Sequence, residues 1–413
     1  MMLAMNVVQS PSEKSVDFGS PQATLTTKMT PLERRASLSL AAVFALRMLG
    51  LFLVLPVFAI EAQRYPGGDD AARVGLAMGV FGLTQAVLQI PYGMASDRFG
   101  RKPVILLGMF VFLLGSIWAA LASNLDNLLI GRALQGAGAI SAAVTALLAD
   151  FTRPVVRTKG MALVGASIGV MFALSLVAAP ALVGALGLSG LFTLMAGLIV
   201  AGMGLVVWAV PSAPQAVAVQ RTGFAAVLRH PALWRLNVGV FALHAAQLAM
   251  WMAVPGMLVA AGLIQKDHWQ VYLPGVILAF ALTGGVFAAE RRGYLMVLIR
   301  ASISLLIVVQ IALAFFNGNL VWMGGLMFLF FMGFNALEAT QPSLVSRFAP
   351  ASQRGAALGV YNTLQSLGFF AGGALGGWLA KSYGYPAVFA FAGALLVIWL
   401  LATVGMPVPA AHE

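Results

Sequence analysis

A single acidic residue, Glu338, lies well inside a long apolar segment of this sequence. A charge at the middle of a bilayer costs roughly 3 kcal/mol on insertion scales, so a residue of this kind is a functional candidate. Burial disfavours the charged form of a carboxyl group, which can then bind a proton from one side of a membrane and release it to the other. Glu338 is therefore predicted to couple transport to protons.

Other polar residues recur on the apolar segments at helical spacing. Intervals of three, four or seven residues place side chains on one face of a helix. We predict that these faces line an aqueous substrate cavity, together with Arg47 and Gln135. The faces contain Asn335 beside Glu338; His244, Gln247 and Trp251; Gln85 and Gln89; and Tyr361, Asn362 and Gln365. His244 titrates near neutral pH and is a second candidate for proton coupling, with a structural hydrogen bond as the alternative.

Three arginines also lie inside apolar segments. Arg47 has no obvious acidic partner, and three roles stay open: it lines the cavity, holds backbone carbonyls, or meets an anionic group of a substrate. The planar guanidinium of Arg132 can bond carbonyls or a carboxylate. Arg300 lies near the end of its segment, where a long side chain reaches the interface by snorkelling.

Composition indicates the elements that must carry these residues. The chain has 413 residues, of which 61% are hydrophobic and 9% are charged. A soluble domain is about one quarter charged, so this chain is predicted to lie in lipid. Unbroken rather than alternating apolar runs favour helices over a β-barrel. An all-α membrane protein with twelve transmembrane helices is predicted, at about 37–60, 72–95, 103–122, 127–150, 160–185, 189–210, 232–262, 269–289, 294–316, 319–346, 355–380 and 385–406.

The distribution of positive charge predicts the orientation. Of the 24 Lys and Arg residues, seventeen lie in the N-terminal tail or in alternate connectors, and three lie inside spans. The opposite side has four, which are Arg64, Arg73, Lys266 and Lys381. The positive-inside rule then places both termini in the cytoplasm. The net charge of +11 reflects this topology, and no nucleic-acid partner is expected.

The spans divide six and six. Predicted segments are a disordered tail at 1–28, bundles at 29–210 and 232–406 joined by a linker at 211–231, and a short tail at 407–413, with no soluble domain expected beyond the last span. Asp97-Arg98-Phe99-Gly100 is matched 193 residues later by Glu290-Arg291-Arg292-Gly293. A near-constant offset favours a duplicated unit, and an even number of helices makes the repeats parallel.

Three motifs resemble the major facilitator superfamily. The connector Gly93-x-x-x-Asp97-Arg98-x-Gly100-Arg101-Lys102 resembles the loop motif of the superfamily. The run Leu128-x-x-x-Arg132-x-x-Gln135-Gly136-x-Gly138-Ala139 resembles the motif of proton-coupled members. Arg47-Met48-Leu49-Gly50 with Leu55-Pro56-Val57 resembles drug:proton antiporters, although Ala179-Pro180 stands where those antiporters have Gly-Pro.

The resemblance implies a fold of two six-helix bundles and a part for Arg132 in proton transfer. It also implies that Asp97, Arg101 and Asp150 form a charge network that clasps the two halves as a cytoplasmic gate. Gly93, Arg98, Gly100 and Lys102 belong to the same predicted gate. Simple positive-inside anchoring is the alternative, but acidic residues do not contribute to that rule.

These features predict a secondary transporter of the inner membrane, with alternating access and proton-coupled efflux of amphipathic, drug-like molecules. The expected partners are the substrate, protons and the bilayer, and a monomer is expected to function. No enzyme activity is expected, because the spans hold one midplane acid and only scattered histidines. No metal or cofactor is expected: the absence of cysteine excludes thiolate metal sites, and the absence of a nucleotide-binding loop of the Gly-Lys-Ser/Thr type argues against ATP as the energy source. Export of a sugar or another small metabolite is an alternative within the class, and a non-transporting membrane sensor is an alternative outside it.

Overall fold

A computed structural model describes residues 28–211, 227, 229–350 and 353–406. The predicted tails at 1–28 and 407–413 fall outside these ranges except for Lys28, and most of the predicted linker at 211–231 does as well. Within the described ranges every regular element is a helix.

Thirteen α-helices are described in these ranges, and two short 3₁₀ turns occur at Ala62–Arg64 and Gln265–Asp267. The helices are α1 Pro31–Val54, α2 Phe58–Glu61, α3 Ala71–Phe99, α4 Arg101–Ala120, α5 Leu125–Ala137, α6 Ser141–Phe151, α7 Pro154–Trp208, α8 Pro231–Ala260, α9 Trp269–Arg291, α10 Leu295–Ala314, α11 Leu320–Phe348, α12 Arg354–Tyr383 and α13 Tyr385–Ala402.

These helices make twelve crossings, and the predicted all-α fold is confirmed. Nine segments of the described chain are long and apolar enough to cross a membrane, and one of them contains two crossings. That segment is α7, which reverses at Gly187, where φ is 67°. The helices α9 and α12 pack among the others as the two remaining crossings.

Two predicted spans differ from the structure. In the span at 37–60, α1 ends at Val54 and a turn at residues 55–57 separates it from α2. The span at 127–150 was expected to be a continuous helix, but it is divided into α5 and α6 by a break at residues 138–140. Gly136 and Gly138 weaken helix propensity there. Gly138 also lies so close to α4 that a Cβ atom would be 2.4 Å from the carbonyl oxygen of Gly108. We call residues 138–140 the α5–α6 break.

Local sequence determines where several helices begin. Thr30 and Glu33 form a capping box at the start of α1, in which Thr30 Oγ1 accepts a hydrogen bond from the Glu33 amide at 3.2 Å. The Glu33 carboxylate also accepts from Arg153 Nε at 2.8 Å, which joins the first turn of α1 to the first residues of α7. This end of the bundle is called the basic side, because the positively charged connectors lie there.

The two halves meet along α3 and α12. A Cβ atom on Gly75 would lie 2.3 Å from the Gly373 carbonyl oxygen, and one on Gly79 would lie 2.7 Å from that of Phe370. A Cβ atom on Gly377 would lie 2.5 Å from the Ala71 carbonyl oxygen. Small residues let helix backbones approach in this way. We call Gly75, Gly79, Gly373 and Gly377 the glycine seam; it closes the halves on the side opposite the basic side.

An ion pair lies at the end of the glycine seam. Lys381 Nζ of α12 donates to Asp70 Oδ2 at 2.7 Å, and Asp70 also caps α3 by accepting from the Ala72 amide at 2.9 Å. The Lys381 ammonium group lowers the pKa of the Asp70 carboxyl below its ordinary value. We call this pair the Asp70–Lys381 latch.

The latch should be insensitive to mild acid. A lowered folded-state pKa means that its stabilisation is present above the ordinary aspartate value of about 4 and is lost only as pH falls through the lowered value. The distance between spin labels at Asp69→Cys and Tyr383→Cys should therefore stay constant from pH 8 to pH 5, in a chain that has no native cysteine. Asp70→Asn should broaden that distance distribution at every pH, whereas a broadening of the wild type near pH 6 would contradict the assignment.

Candidate functional site

His244, Glu338 and Gln365 meet at the contact of α8, α11 and α12. His244 Nδ1 lies 2.9 Å from the Val240 carbonyl oxygen, which can only accept, so Nδ1 carries a hydrogen. The other ring nitrogen, Nε2, lies 2.7 Å from Gln365 Nε2 and 3.4 Å from Glu338 Oε2. We call these three residues the proton centre.

The geometry of the proton centre suits one exchangeable proton. In a neutral ring with a hydrogen on Nδ1, the His244 Nε2 atom presents a lone pair. A lone pair and a carboxylate repel each other, so an added proton on either Glu338 or His244 relieves the contact. The His244 side chain is 2% exposed and that of Glu338 is 38% exposed, so the Glu338 side chain extends from a buried ring toward a less enclosed region.

Aromatic rings from both halves pack against one another beside the proton centre. Phe172 of α7 lies 6.2 Å from Phe331 and 6.2 Å from Phe334 of α11, measured between ring centroids. Phe52 of α1 lies 5.2 Å from Phe172, and Phe334 lies 5.8 Å from the His244 ring. We call the four phenylalanines the aromatic cluster. Its rings give an apolar wall of the kind that holds drug-sized ligands.

A second polar group lies in the first half around Arg47. Arg47 Nη2 donates to Gln85 Oε1 at 3.4 Å and to the Gly138 carbonyl oxygen at 3.3 Å. Gln85 Nε2 donates in turn to Ser366 Oγ of α12 at 3.1 Å. Ser366 follows Gln365 directly, so adjacent residues of α12 join the proton centre to Arg47 across the two halves.

Arg132 is buried in the first half, outside the hydrogen bonds of the proton centre. Its Nη1 donates to Gln135 Oε1 at 2.8 Å, and Gln135 Nε2 donates to Ser116 Oγ at 2.9 Å. The guanidinium carbon lies 5.1 Å from the centre of the Phe81 ring. Gln135, predicted to line the cavity, is thus held between helices of one half. The predicted part of Arg132 in proton transfer stays a prediction.

The other predicted cavity residues are not brought into one group. Gln89 and Gln247 are buried, and their side chains retain polar atoms without a hydrogen-bond partner. Tyr361 is also buried, and its hydroxyl group has no hydrogen-bond partner. Asn335 and Asn362 are half-buried, on α11 and α12.

Trp251 was predicted to line the cavity, but the structure places it in a closely packed region. It is fully buried and packs edge-on against Tyr272 of α9, with 5.4 Å between the ring centroids. The residues of α8 are buried on nearly every face, so helical spacing alone does not separate a cavity face from a core face there.

The connector between α3 and α4 contains a charge network on the basic side. Arg101 Nε donates to Asp150 Oδ2 at 3.1 Å, and Arg101 Nη1 contacts both Asp97 Oδ1 and Ser96 Oγ. These bonds join the ends of α3, α4 and α6, which all belong to the first half. The contacts that the family resemblance implies between Arg101 and the two acids are therefore present, and the action of the network as a clasp between the halves stays a prediction.

The remaining connector residues shape the turn. Gly100 has φ 91°, a conformation that favours glycine. Gly93 packs near Ala142 of α6, where an added Cβ atom would lie 3.7 Å from the Cβ atom of Ala142. Arg98 lies over the Phe99 ring at 5.3 Å, and Lys102 is half-buried. None of these side chains is needed to explain the Arg101 bonds.

Two features were missed in the sequence. Ser366 gave no signal, because a lone serine in an apolar helix is common. The glycine seam did give one, since Gly75-x-x-x-Gly79 and Gly373-x-x-x-Gly377 both match the small-residue pattern of close helix pairs.

Twelve crossings, two joined halves and polar groups at their interface define a secondary membrane transporter. The chain belongs to the Major Facilitator Superfamily, whose family model matches residues 40–373. It is 41% identical over 396 residues to the inner membrane transport protein YajR of Escherichia coli, covering 92% of this chain and 85% of that protein.

A more limited similarity is to the class B tetracycline resistance protein of Escherichia coli, at 33% identity over 141 residues and 34% of each chain. Among solved structures, a bacterial homologue of the human lysosomal transporter Spinster, in an inward-facing and occupied conformation, has a TM-score of 0.69. It is 16% identical and covers 92% of this chain and 95% of that one, which supports the fold alone.

Proposed function

We propose that this transporter exports amphipathic, drug-like small molecules in exchange for protons by alternating access. The observation that carries the proposal is the His244–Glu338 contact at 3.4 Å, within the second half and beside Phe334, which meets Phe172 of the first half. The adjacent aromatic cluster offers the apolar surface that such substrates need. The similarity to part of a tetracycline resistance protein supports efflux as the direction.

Proton binding changes the charge of the partly exposed Glu338 carboxyl group. When Glu338 is ionised, it holds a negative charge beside the aromatic cluster, and a proton removes that charge. An inward proton gains about 2.3 kcal/mol for each 100 mV of inside-negative potential. This free energy corresponds to more than a tenfold bias in a transport equilibrium.

The adjacent residues Gln365 and Ser366 provide a route by which this event reaches the other half. Gln365 contacts the His244 ring, and Ser366 accepts from Gln85 of α3. A change of protonation that moves the Gln365 amide would also move Ser366, which weakens the Gln85 contact between the halves.

The charge distribution supports an orientation with the basic side in the cytoplasm. In that orientation the glycine seam and the Asp70–Lys381 latch close the external side. The similarity to YajR supports the bacterial inner membrane as the location. A functional monomer is part of the proposal, and it is supported by a proton centre whose three residues come from one chain.

Reconstituted vesicles with an imposed pH gradient test the proposal. Uptake of cationic rhodamine 123 and anionic fluorescein is measured for the wild type, Glu338→Gln and His244→Gln. Glu338→Gln should reduce gradient-driven flux of any transported dye at least tenfold, because the amide cannot carry the proton. Asp126→Asn removes a carboxylate from an exposed pair with Arg73 and is the matched control. Flux in Glu338→Gln that still follows the pH gradient would contradict the coupling.

A further inference from the structure

The α5–α6 break creates a helix N-terminus at the middle of a membrane span. Helix α6 begins at Ser141, and its N-cap residue Ile140 provides no side-chain hydrogen bond. The first amide groups of a helix lack intrahelical partners and carry partial positive charge. Ala139 and Ile140 are fully buried, so this positive end faces protein and not water.

Arg47 places a full positive charge at the same point. Its Nη2 atom reaches the Gly138 carbonyl oxygen at the break, and its side chain is 1% exposed. The Nε and Nη1 atoms are buried without hydrogen-bond partners. In the described ranges no carboxylate lies within ion-pair distance of Arg47, so its acceptors are an amide oxygen and a carbonyl oxygen.

Arg132 brings a second uncompensated charge close by. It is also 1% exposed, its Nε atom has no partner, and its Nη1 atom is held by Gln135, three residues before Gly138. The Phe81 and Phe112 rings lie 6.5 Å apart; Arg132 lies over the first and Arg47 lies 5.7 Å from the centre of the second.

The charged group opens toward the interface of the halves. Arg132 borders a small cavity that Phe52 and Phe81 of the first half and Leu248 and Phe369 of the second also line. Phe52 belongs to the aromatic cluster, and Phe369 packs on the His244 ring with 4.9 Å between the ring centroids. The cavity therefore lies between Arg132 and the proton centre.

In the described ranges the two buried cations and the positive helix end meet no carboxylate, and the carbonyl dipoles at the end of α5 offset only part of their charge. A buried charge is costly unless it is paired, and removing it from water is repaid only by a close counter-charge. A planar guanidinium matches a carboxylate with two parallel hydrogen bonds. Discontinuous transmembrane helices present half-helix N-termini to anionic groups of substrates.

We propose that Arg47, Arg132 and the first turn of α6 bind the anionic group, preferably a carboxylate, of the exported compound. The substrates are then amphipathic organic anions, with the apolar part on the aromatic cluster. This inference deepens the proposed export function and rests on it. Exchange of one inward proton for one outward monoanion moves two charges in the same electrical direction, so the inside-negative potential drives both.

Binding to the purified protein tests the site without transport. Fluorescein and rhodamine 123 share a xanthene ring system but carry opposite charge, and fluorescence anisotropy measures each. Arg47→Gln and Arg132→Gln should weaken fluorescein binding at least tenfold and change rhodamine 123 binding less than twofold. Arg47→Lys, which keeps the charge and loses the fork, should give an intermediate loss. Arg300→Gln is the control, since Arg300 bonds the Thr403 carbonyl oxygen far from the break.

Thermal unfolding separates this role from a structural one. Removing a buried charge that has no counter-charge should leave the melting temperature unchanged or raise it, and fluorescein should stabilise the wild type but not Arg47→Gln. A structural arginine would instead make Arg47→Gln melt several degrees lower. That result, or equal loss of both dyes, would overturn the inference. Stabilisation by chloride alone, equal to that by fluorescein, would overturn the organic-anion assignment.

Transport under the pH gradient separates the two proposals. In one outcome, rhodamine 123 flux depends on Glu338, whereas neither the flux nor the binding of fluorescein depends on Arg47. That outcome would support proton-coupled export and contradict the anion site. In the opposite outcome, fluorescein binding depends on Arg47 but the pH gradient drives flux of neither dye. That outcome would support the anion site and contradict proton-coupled export. In the expected case, fluorescein uptake depends on Arg47 and Glu338. An imposed potential that is positive in the vesicle lumen, which corresponds to the cell exterior, increases this uptake at least twofold at constant pH gradient.

Discussion

Gly75→Leu is expected to reduce transport at least tenfold and to hold the halves apart at the glycine seam. The first added carbon would lie 2.3 Å from the Gly373 carbonyl oxygen and 2.7 Å from Gly377 Cα. Both obstacles are backbone atoms, so no side-chain rotation relieves the clash and the helices α3 and α12 must separate. An alternating transporter that cannot close one side loses its cycle.

Spin labels at Asp69→Cys and Tyr383→Cys report the separation directly, because both positions are exposed beside the seam. The Gly75→Leu background should shift their distance distribution to longer values by several ångströms. Gly197→Leu is the matched control: an added Cβ atom there meets nothing within 4 Å. If Gly75→Leu leaves the distance and the flux unchanged, the glycine seam is not the closing contact.

Features that depend on residues close together in the sequence could be predicted, whereas contacts between distant residues could not. The twelve crossings follow from hydropathy, and the contact of Asp97 with Arg101 was implied by the resemblance of one short connector to the superfamily motif. The Asp70–Lys381 latch joins residues that are 311 positions apart. In the sequence Lys381 was only one of four basic residues on the less basic side, since nothing local indicates which acid it meets.

The polar faces illustrate the same limit at the site. Helical spacing grouped His244, Gln247 and Trp251 on one face, but packing against other helices gives them different surroundings. His244 meets Glu338, whereas Trp251 is enclosed against Tyr272. Periodicity gives the face of a helix, and the neighbours of that face depend on how the helices pack. The α5–α6 break is likewise a tertiary effect, because Gly138 fits against the Gly108 carbonyl oxygen of α4.

Arg101→Gln should reduce transport at least tenfold while changing dye binding less than twofold. The Arg101 side chain is 9% exposed and is shared between Asp97 and Asp150, so it joins the ends of α3, α4 and α6. Glutamine loses both ion pairs and leaves two carboxylates near each other, which repel. The helix ends on the basic side then lose their fixed geometry, whereas Arg47, His244 and Glu338 lie elsewhere in the bundle and keep their contacts.

Arg98→Gln is the matched control from the same connector, because Arg98 stacks on Phe99 and takes no part in the Arg101 bonds. It should keep at least half of the wild-type flux. Asp97→Asn should follow Arg101→Gln in losing flux and retaining binding, since it removes the acidic partner from the same contact. Loss of binding in either variant would mean that the connector shapes the substrate site. Equal loss in Arg98→Gln would mean that the positive charge of the connector matters and the Arg101 geometry does not.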